Sequence, residues 1–393
     1  MTTLEPRKLD SSRSWLIAAS AATSTFVVFG VAYSFGAFFA SMAEEFGSSS
    51  SATALFFSIT ISLSFVLGLF TGRWVDRVGP KPVIIAGAVS LSGGLLLTTL
   101  VPSIWLGYLT YGVGVGFAVA CGYVPMVATV GGWFDERRSA ALGLAVAGIG
   151  LGTLVGSPIA ARIIDATSWR TAFVVFAIVG GTLLLLVALV VESGPAAVAT
   201  DEPRPLGELL GITDFRVLYI SSMLGTFGLF VPFVFLVDYA KERDIGEIAA
   251  AALVGLIGGF SVIGRLGLGA LADRVGIVRL FRISFAVMAC SHVLWLLAGD
   301  RYPVLVLYTI VLGVGYGGFI ALGPAVLAER FGLDGLGGVI GTLYTSAAVG
   351  SLFGPPIAGV LIDAFSYPVA ISFGLFMSLA ALLNLRDLNP AAT

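Results

Sequence analysis

Arg265 is the side chain with the clearest chemical task in this sequence, because of the company it keeps. It sits in an apolar run eight residues before Asp273, which is roughly 12 Å along a helix at 1.5 Å per residue. If that run crosses a bilayer, the guanidinium lies close to the middle of a hydrocarbon core roughly 30 Å thick. A cation there costs at least ~2.5–3.5 kcal/mol even on lenient insertion scales, so it is expected to face a water-filled cavity and to function there. Its planar fork offers two parallel N–H donors to a carboxylate. The competing structural use is a salt bridge with an acid inside the membrane. Outside the ends of the apolar runs the nearest candidate is Asp238, which is also the one acid placed to couple a proton.

The same counting finds other side chains at similar depth. Tyr123 lies ten residues before Trp133, Phe319 ten before Glu329, Tyr344 ten after Asp334 and Tyr33 eleven before Glu44. Each is roughly 15 Å from a polar or interfacial end. Tyrosine hydroxyls can donate to a carboxylate while the rings shape an apolar pocket. Ser261, one turn before Arg265, is on the same helical side and adds a hydroxyl. His292 is the sole histidine and is surrounded by apolar residues, which points to packing.

These residues need long helices to hold them. Hydrophobic residues make up 58% of the chain and charged ones 11%, which excludes an ordinary soluble domain. The apolar runs predict twelve spans near 15–41, 51–72, 82–101, 104–130, 139–163, 169–191, 215–241, 247–271, 278–298, 303–328, 336–362 and 367–386. A net charge of −2 gives no reason to expect nucleic acid. Cys121 and Cys290 both fall in apolar runs and read as small core residues. No metal cluster, nucleophile–base set or nucleotide loop is visible, so neither an enzyme nor a cofactor is expected.

A repeat orders the spans. Gly72-Arg73-Trp74-Val75-Asp76-Arg77-Val78-Gly79 returns as Gly269-Ala270-Leu271-Ala272-Asp273-Arg274-Val275-Gly276, with Gly, Asp, Arg and Gly each displaced by 197 residues. Gly156-Ser157-Pro158-Ile159-Ala160 is echoed by Gly354-Pro355-Pro356-Ile357-Ala358. Parallel repeats of this size are the mark of a transporter. The expected organisation is a six-helix half over 1–191, a linker over 192–214 and a second six-helix half over 215–393. Pro125, Pro158, Pro324 and Pro355-Pro356 interrupt helices at matching places in the halves, supplying kinks for rocking. With the N-terminus in the cytoplasm, fifteen Lys and Arg fall in inside segments and five in outside ones, so both termini are expected inside.

The repeated Gly-x-x-x-Asp-Arg-x-Gly turn resembles the cytoplasmic loop motif of the major facilitator superfamily. That likeness implies an all-α integral membrane protein with twelve transmembrane helices in two pseudo-symmetric halves. It also implies that Gly72, Asp76, Arg77, Gly79, Gly269, Asp273, Arg274 and Gly276 act in gating and do not touch substrate. The stretch Trp133-Phe134-Asp135-Glu136-Arg137-Arg138 through Gly148 is similar to the start of span 5 in monocarboxylate transporters and the related oxalate/formate exchangers. Pro232 to Lys241, followed by Arg265, resembles spans 7 and 8 of the monocarboxylate group. The resemblance implies proton-coupled transport of a small monocarboxylate such as lactate or pyruvate across the cell membrane.

Two departures bear on that expectation. Animal monocarboxylate carriers place an acid four residues before the span-8 arginine and a lysine in span 1, whereas here Ser261 stands at the first position and span 1 has no lysine. Oxalate/formate exchangers carry a second cation in span 11, and none occurs between Leu336 and Ile362. One cavity cation favours a monoanion, because a second buried carboxylate would have no partner. An organic-anion exchanger, a drug/proton antiporter and a membrane sensor are the alternatives. The orientation is checked with Arg77→Cys and Ser48→Cys in a background lacking Cys121 and Cys290. An impermeant external thiol reagent should label position 48 and spare position 77; labelling of both would overturn the twelve-span arrangement.

Overall fold

Apolar segments in lipid must satisfy every backbone N–H and C=O internally, and a helix does so within one segment. The computed structural model describes residues 8–195, 205–332 and 336–388, and no strand occurs among them. Among the described residues twelve helices are long and apolar enough to span a bilayer. Spans 1 to 6 run Ser12–Phe46, Ser50–Val78, Pro80–Thr98, Ile104–Gly131, Arg138–Ala166 and Trp169–Val190. Spans 7 to 12 run Thr213–Lys241, Glu247–Ala272, Ile277–Ala298, Tyr302–Phe331, Gly337–Ala364 and Tyr367–Asp387. The linker contributes a short helix, Leu206–Leu210, and residues 196–204 lie outside the described residues.

The repeated motif is helix for most of its length. Span 2 continues through Val78, and the helix of span 8 continues to Val275. Asp76 therefore stands in the last helical turn of span 2, correcting the sequence-based end at residue 72. Each connection to the next span is a single glycine, Gly79 at φ +80° and Gly276 at φ +94°. An L side chain rarely adopts that region, which explains why glycine holds both turns. Arg77 and Arg274 are exposed there, and the side chain of Asp273 lies outside the described residues. These turns mark one side of the bundle, the motif face.

Packing between helices is close where small residues allow it. A Cβ on Gly148 of span 5 would come within 2.1 Å of the Ala22 carbonyl oxygen in span 1. The two halves meet along span 2 against span 11 and span 5 against span 8. On the face opposite the motif, the Asp363 carboxylate of span 11 accepts from Ser50 N–H at 3.0 Å, a favourable place for an anion at a helix N-terminus. Spans 1 and 7 both break near mid-membrane, at Ser34 and at Phe230. The breaks are 196 positions apart, matching the sequence repeat within one residue. Pro232 marks the second break, and no proline marks the first. Span 4 breaks at Tyr123, just before Pro125, whereas Pro158, Pro324, Pro355 and Pro356 lie within continuous helices.

Cys121 is buried but Cys290 is exposed on the surface of span 9, which corrects the reading of both as core residues. His292 is fully buried, with Nδ1 2.9 Å from the Met288 carbonyl oxygen.

The chain just before span 1 ties down the connection between spans 4 and 5. The Asp10 carboxylate accepts from the backbone N–H groups of Asp135 and Glu136 at 3.2 Å and of Arg137 at 3.1 Å. Arg13 pairs with Glu192, and Trp133 donates its indole N–H to the Glu192 carbonyl at 2.9 Å. Desolvation pushes the Asp10 carboxyl up, but the three N–H donors and the Arg137 charge outweigh it and hold it below its ordinary range. A lowered folded-state pKa gives stability that is present above the unfolded value and lost as pH falls through the folded one. Detergent-solubilised Asp10→Ala should therefore melt below wild type at pH 7, with the gap narrowing in melts taken toward pH 4. Equal melting temperatures at pH 7 would remove this role.

Candidate functional site

The breaks in spans 1, 4 and 7 place side chains around Arg265. The guanidinium is almost buried, with 9% exposure. Its Nη1 donates at 2.8 Å to the carbonyl oxygen of Val146 in span 5, so the bond crosses between the two halves. Nε and Nη2, which line one edge of the guanidinium, are buried with no partner among the described residues. Leaving two charged donors unmade in a low-dielectric setting is costly. That edge has the spacing to bind both oxygens of one carboxylate.

Four tyrosines gather at this level. Tyr33 of span 1 and Tyr316 of span 10 hold their hydroxyl oxygens 3.2 Å apart across the halves. Tyr123 of span 4 and Tyr344 of span 11 line the same cavity from opposite halves. Arg265 lies 5.7 Å from the Tyr316 ring centroid, within cation–π range. All four tyrosines and Arg265 line one cavity. Phe319 lines it too, with its ring 5.4 Å from that of Phe285.

The cavity is closed on the side away from the motif face. Tyr33 and Phe233 rings lie 4.6 Å apart, Phe57 and Phe233 stack at 6.3 Å, and Phe39 meets Phe235 at 5.0 Å. These contacts join spans 1 and 2 to span 7 and fill the space between the halves. Toward the motif face the walls continue through Leu327 of span 10 and Ile340 of span 11, each within about a turn of its helix end.

Two sequence-based candidates are placed elsewhere. Ser261 is fully buried, donates to the Gly258 carbonyl at 2.7 Å and does not line the cavity. Span 10 packs against span 8 at that residue, so the expected hydroxyl contact is corrected. Asp238 accepts from the Tyr367 hydroxyl at 2.7 Å. It stands eight residues beyond the Phe230 break, roughly 12 Å toward the far end of span 7, and is not part of the cavity wall. Sequence counting missed Tyr316, Phe29, Phe65 and Phe230, which do line it. Helical rise gives depth but not direction around the axis, and the Phe230 break has only Pro232 as a local signal.

The comparisons follow the same lines. The family model described as Major Facilitator Superfamily matches residues 21–300 and 218–392. Monocarboxylate transporter 3 of Rattus norvegicus is 33% identical over 364 residues, covering 86% of this chain and 73% of the relative. Monocarboxylate transporter 4 of Gallus gallus is 31% identical over 359 residues, covering 86% and 75%. The MFS-type transporter pynF of Aspergillus niger is 29% identical over 368 residues, covering 91% and 84%. With a family match over both halves and relatives aligned along most of its length, the chain belongs to the major facilitator superfamily of membrane transporters, in its monocarboxylate transporter-like group.

Proposed function

We propose that this protein is a secondary transporter of a small monocarboxylate, working by alternating access around Arg265. The observation that carries the reading is the free Nε–Nη2 edge of a nearly buried guanidinium. The names of the monocarboxylate transporters among its relatives agree with it. Among the described residues, Arg265 is the one cationic side chain lining the cavity, which favours a monoanion over a dicarboxylate. In this reading both termini and the motif face are cytoplasmic, as the distribution of Lys and Arg favours, and the cavity belongs to an inward-facing form. The Gly79 and Gly276 turns, with Asp76, Arg77 and their repeat partners, set the balance between inward and outward forms.

In the mechanism we propose, the carboxylate takes the free edge of Arg265 and neutralises it. Tyr33–Tyr316 joins the halves beside Arg265 and exchanges partners with substrate as the halves rock, with Tyr123 and Tyr344 lining the same cavity. The Phe57–Phe233 and Phe39–Phe235 contacts part when the cavity opens to the other side. Removing one member of a buried charged pair costs ~3–5 kcal/mol, so Arg265→Gln should weaken carboxylate binding at least ~100-fold. Arg265→Lys keeps the charge without the fork and should recover binding only in part. Uptake of labelled lactate into proteoliposomes, normalised to folded protein, checks both variants. Near-normal uptake by Arg265→Gln would favour the drug or neutral-solute reading.

Proton coupling is part of the proposal, with Asp238 as the acid that carries it. Asp238 is half-buried near the far end of span 7 and bonded to Tyr367, so its protonation reaches the tilt of span 7 against span 12 and not the substrate directly. Asp238→Asn should weaken accumulation driven by an imposed pH gradient more than it weakens counterflow. Full pH-driven uptake in that variant would leave Asp238 with a structural role only.

A further inference from the structure

From the level of Arg265 to the motif face, the cavity wall carries almost no polarity that a substrate can use. Its sides are Phe65, Leu229, Phe319, Leu327, Ile340 and Leu343. The Tyr33 and Tyr316 hydroxyls are committed to each other, and Tyr123 and Tyr344 stand at the level of Arg265 by helical rise. Thr226 donates to the Ser222 carbonyl at 2.8 Å and Ser346 to the Leu343 carbonyl at 2.6 Å. The Ser222 hydroxyl is the one lining hydroxyl that is buried without a partner among the described residues. Among the described residues no Asp or Glu lines the wall.

The shape sharpens the point. From Tyr316 to Leu327 the slot follows span 10 for roughly 16 Å. Its free volume is about 40 Å³, small beside the ~300–1,000 Å³ of a ligand pocket. The slot is therefore narrow, with mainly apolar walls. A tail entering it must widen it, and only an apolar tail gives such walls contacts in kind. A polar tail would lose its own hydration and give the walls nothing in return.

We infer that the preferred substrate is a monocarboxylate with an apolar tail, branched alkyl or aryl, and with neither an ammonium group nor a second carboxylate. This rests on the proposed pairing of the carboxylate with Arg265 and adds the selection made by the slot. The excluded ammonium follows from the absence of a lining acid, and the excluded second carboxylate from the single cation.

The test uses the full-length protein in nanodiscs, with equilibrium binding of matched compounds. Adding a phenyl ring, from lactate to 3-phenyllactate, should tighten binding by on the order of 30-fold, the value of burying one aromatic ring. Phenylalanine and benzylmalonate should each bind at least ~10-fold more weakly than 3-phenyllactate. Ile340→Asn, which places an amide in the wall near its mouth, should cut the preference for 3-phenyllactate over lactate by about 10-fold. Equal binding of lactate and 3-phenyllactate, with both abolished in Arg265→Gln, would overturn the selection by the slot and leave the carboxylate reading standing. Undiminished 3-phenyllactate binding in Arg265→Gln would overturn the carboxylate reading, and the inference with it. Equal losses of both ligands in Ile340→Asn would also count against the slot.

Discussion

A guanidinium held at the seam of two helical halves, with one edge anchored and the other unmade, is the constraint on which the rest of this structure depends. A cation so deep in a membrane protein is unfavourable unless the surroundings compensate. The Val146 carbonyl supplies part of that compensation from the opposite half. It can do so because spans 5 and 8 approach closely, with a Cβ on Gly150 falling 2.4 Å from the Gly258 carbonyl oxygen. The four tyrosines and the apolar rings around them then exclude water from the unmade edge. In the proposed reading an anion completes this arrangement, and its binding energy biases a conformational equilibrium.

The asymmetry of the packing follows from where the helices break. Span 1 turns at Ser34 and span 7 at Phe230, so their distal segments lean together and bury Phe39 against Phe235. Their proximal segments leave room for the cavity beside Ser222 and Phe29. Span 2 packs against span 11 and span 5 against span 8 at the seam between the halves. The Asp363 cap on span 2 closes the seam on the far side with a charge-assisted contact.

Much of this was legible in the residues. The apolar runs define all twelve spans, and the displacement of Gly72 to Gly269 relates the halves before any coordinates. Depth counting from polar ends brought Arg265, Tyr33, Tyr123, Tyr344 and Phe319 to one level, and all five line the cavity. Counting fails where direction around a helix matters. Ser261, one turn from Arg265, turns into the packing with span 10, and Tyr316 was passed over at a similar depth. The break at Ser34 carries no proline to announce it, since its hydroxyl bonds back to the Gly30 carbonyl within the helix. The motif turns looked like loops because charges cluster there, yet the backbone stays helical to the single left-handed glycine.

The central claim is that Arg265 recognises the charge of a carboxylate through its free edge. The most direct measurement is a thermodynamic cycle: binding of lactate and of its neutral analogue lactamide, to wild type and to Arg265→Gln. The account predicts that wild type prefers the anion by at least ~100-fold, and that the preference collapses toward unity in Arg265→Gln because the carboxylate alone is affected. The same preference in both proteins would mean that another group reads the charge, and would contradict the account.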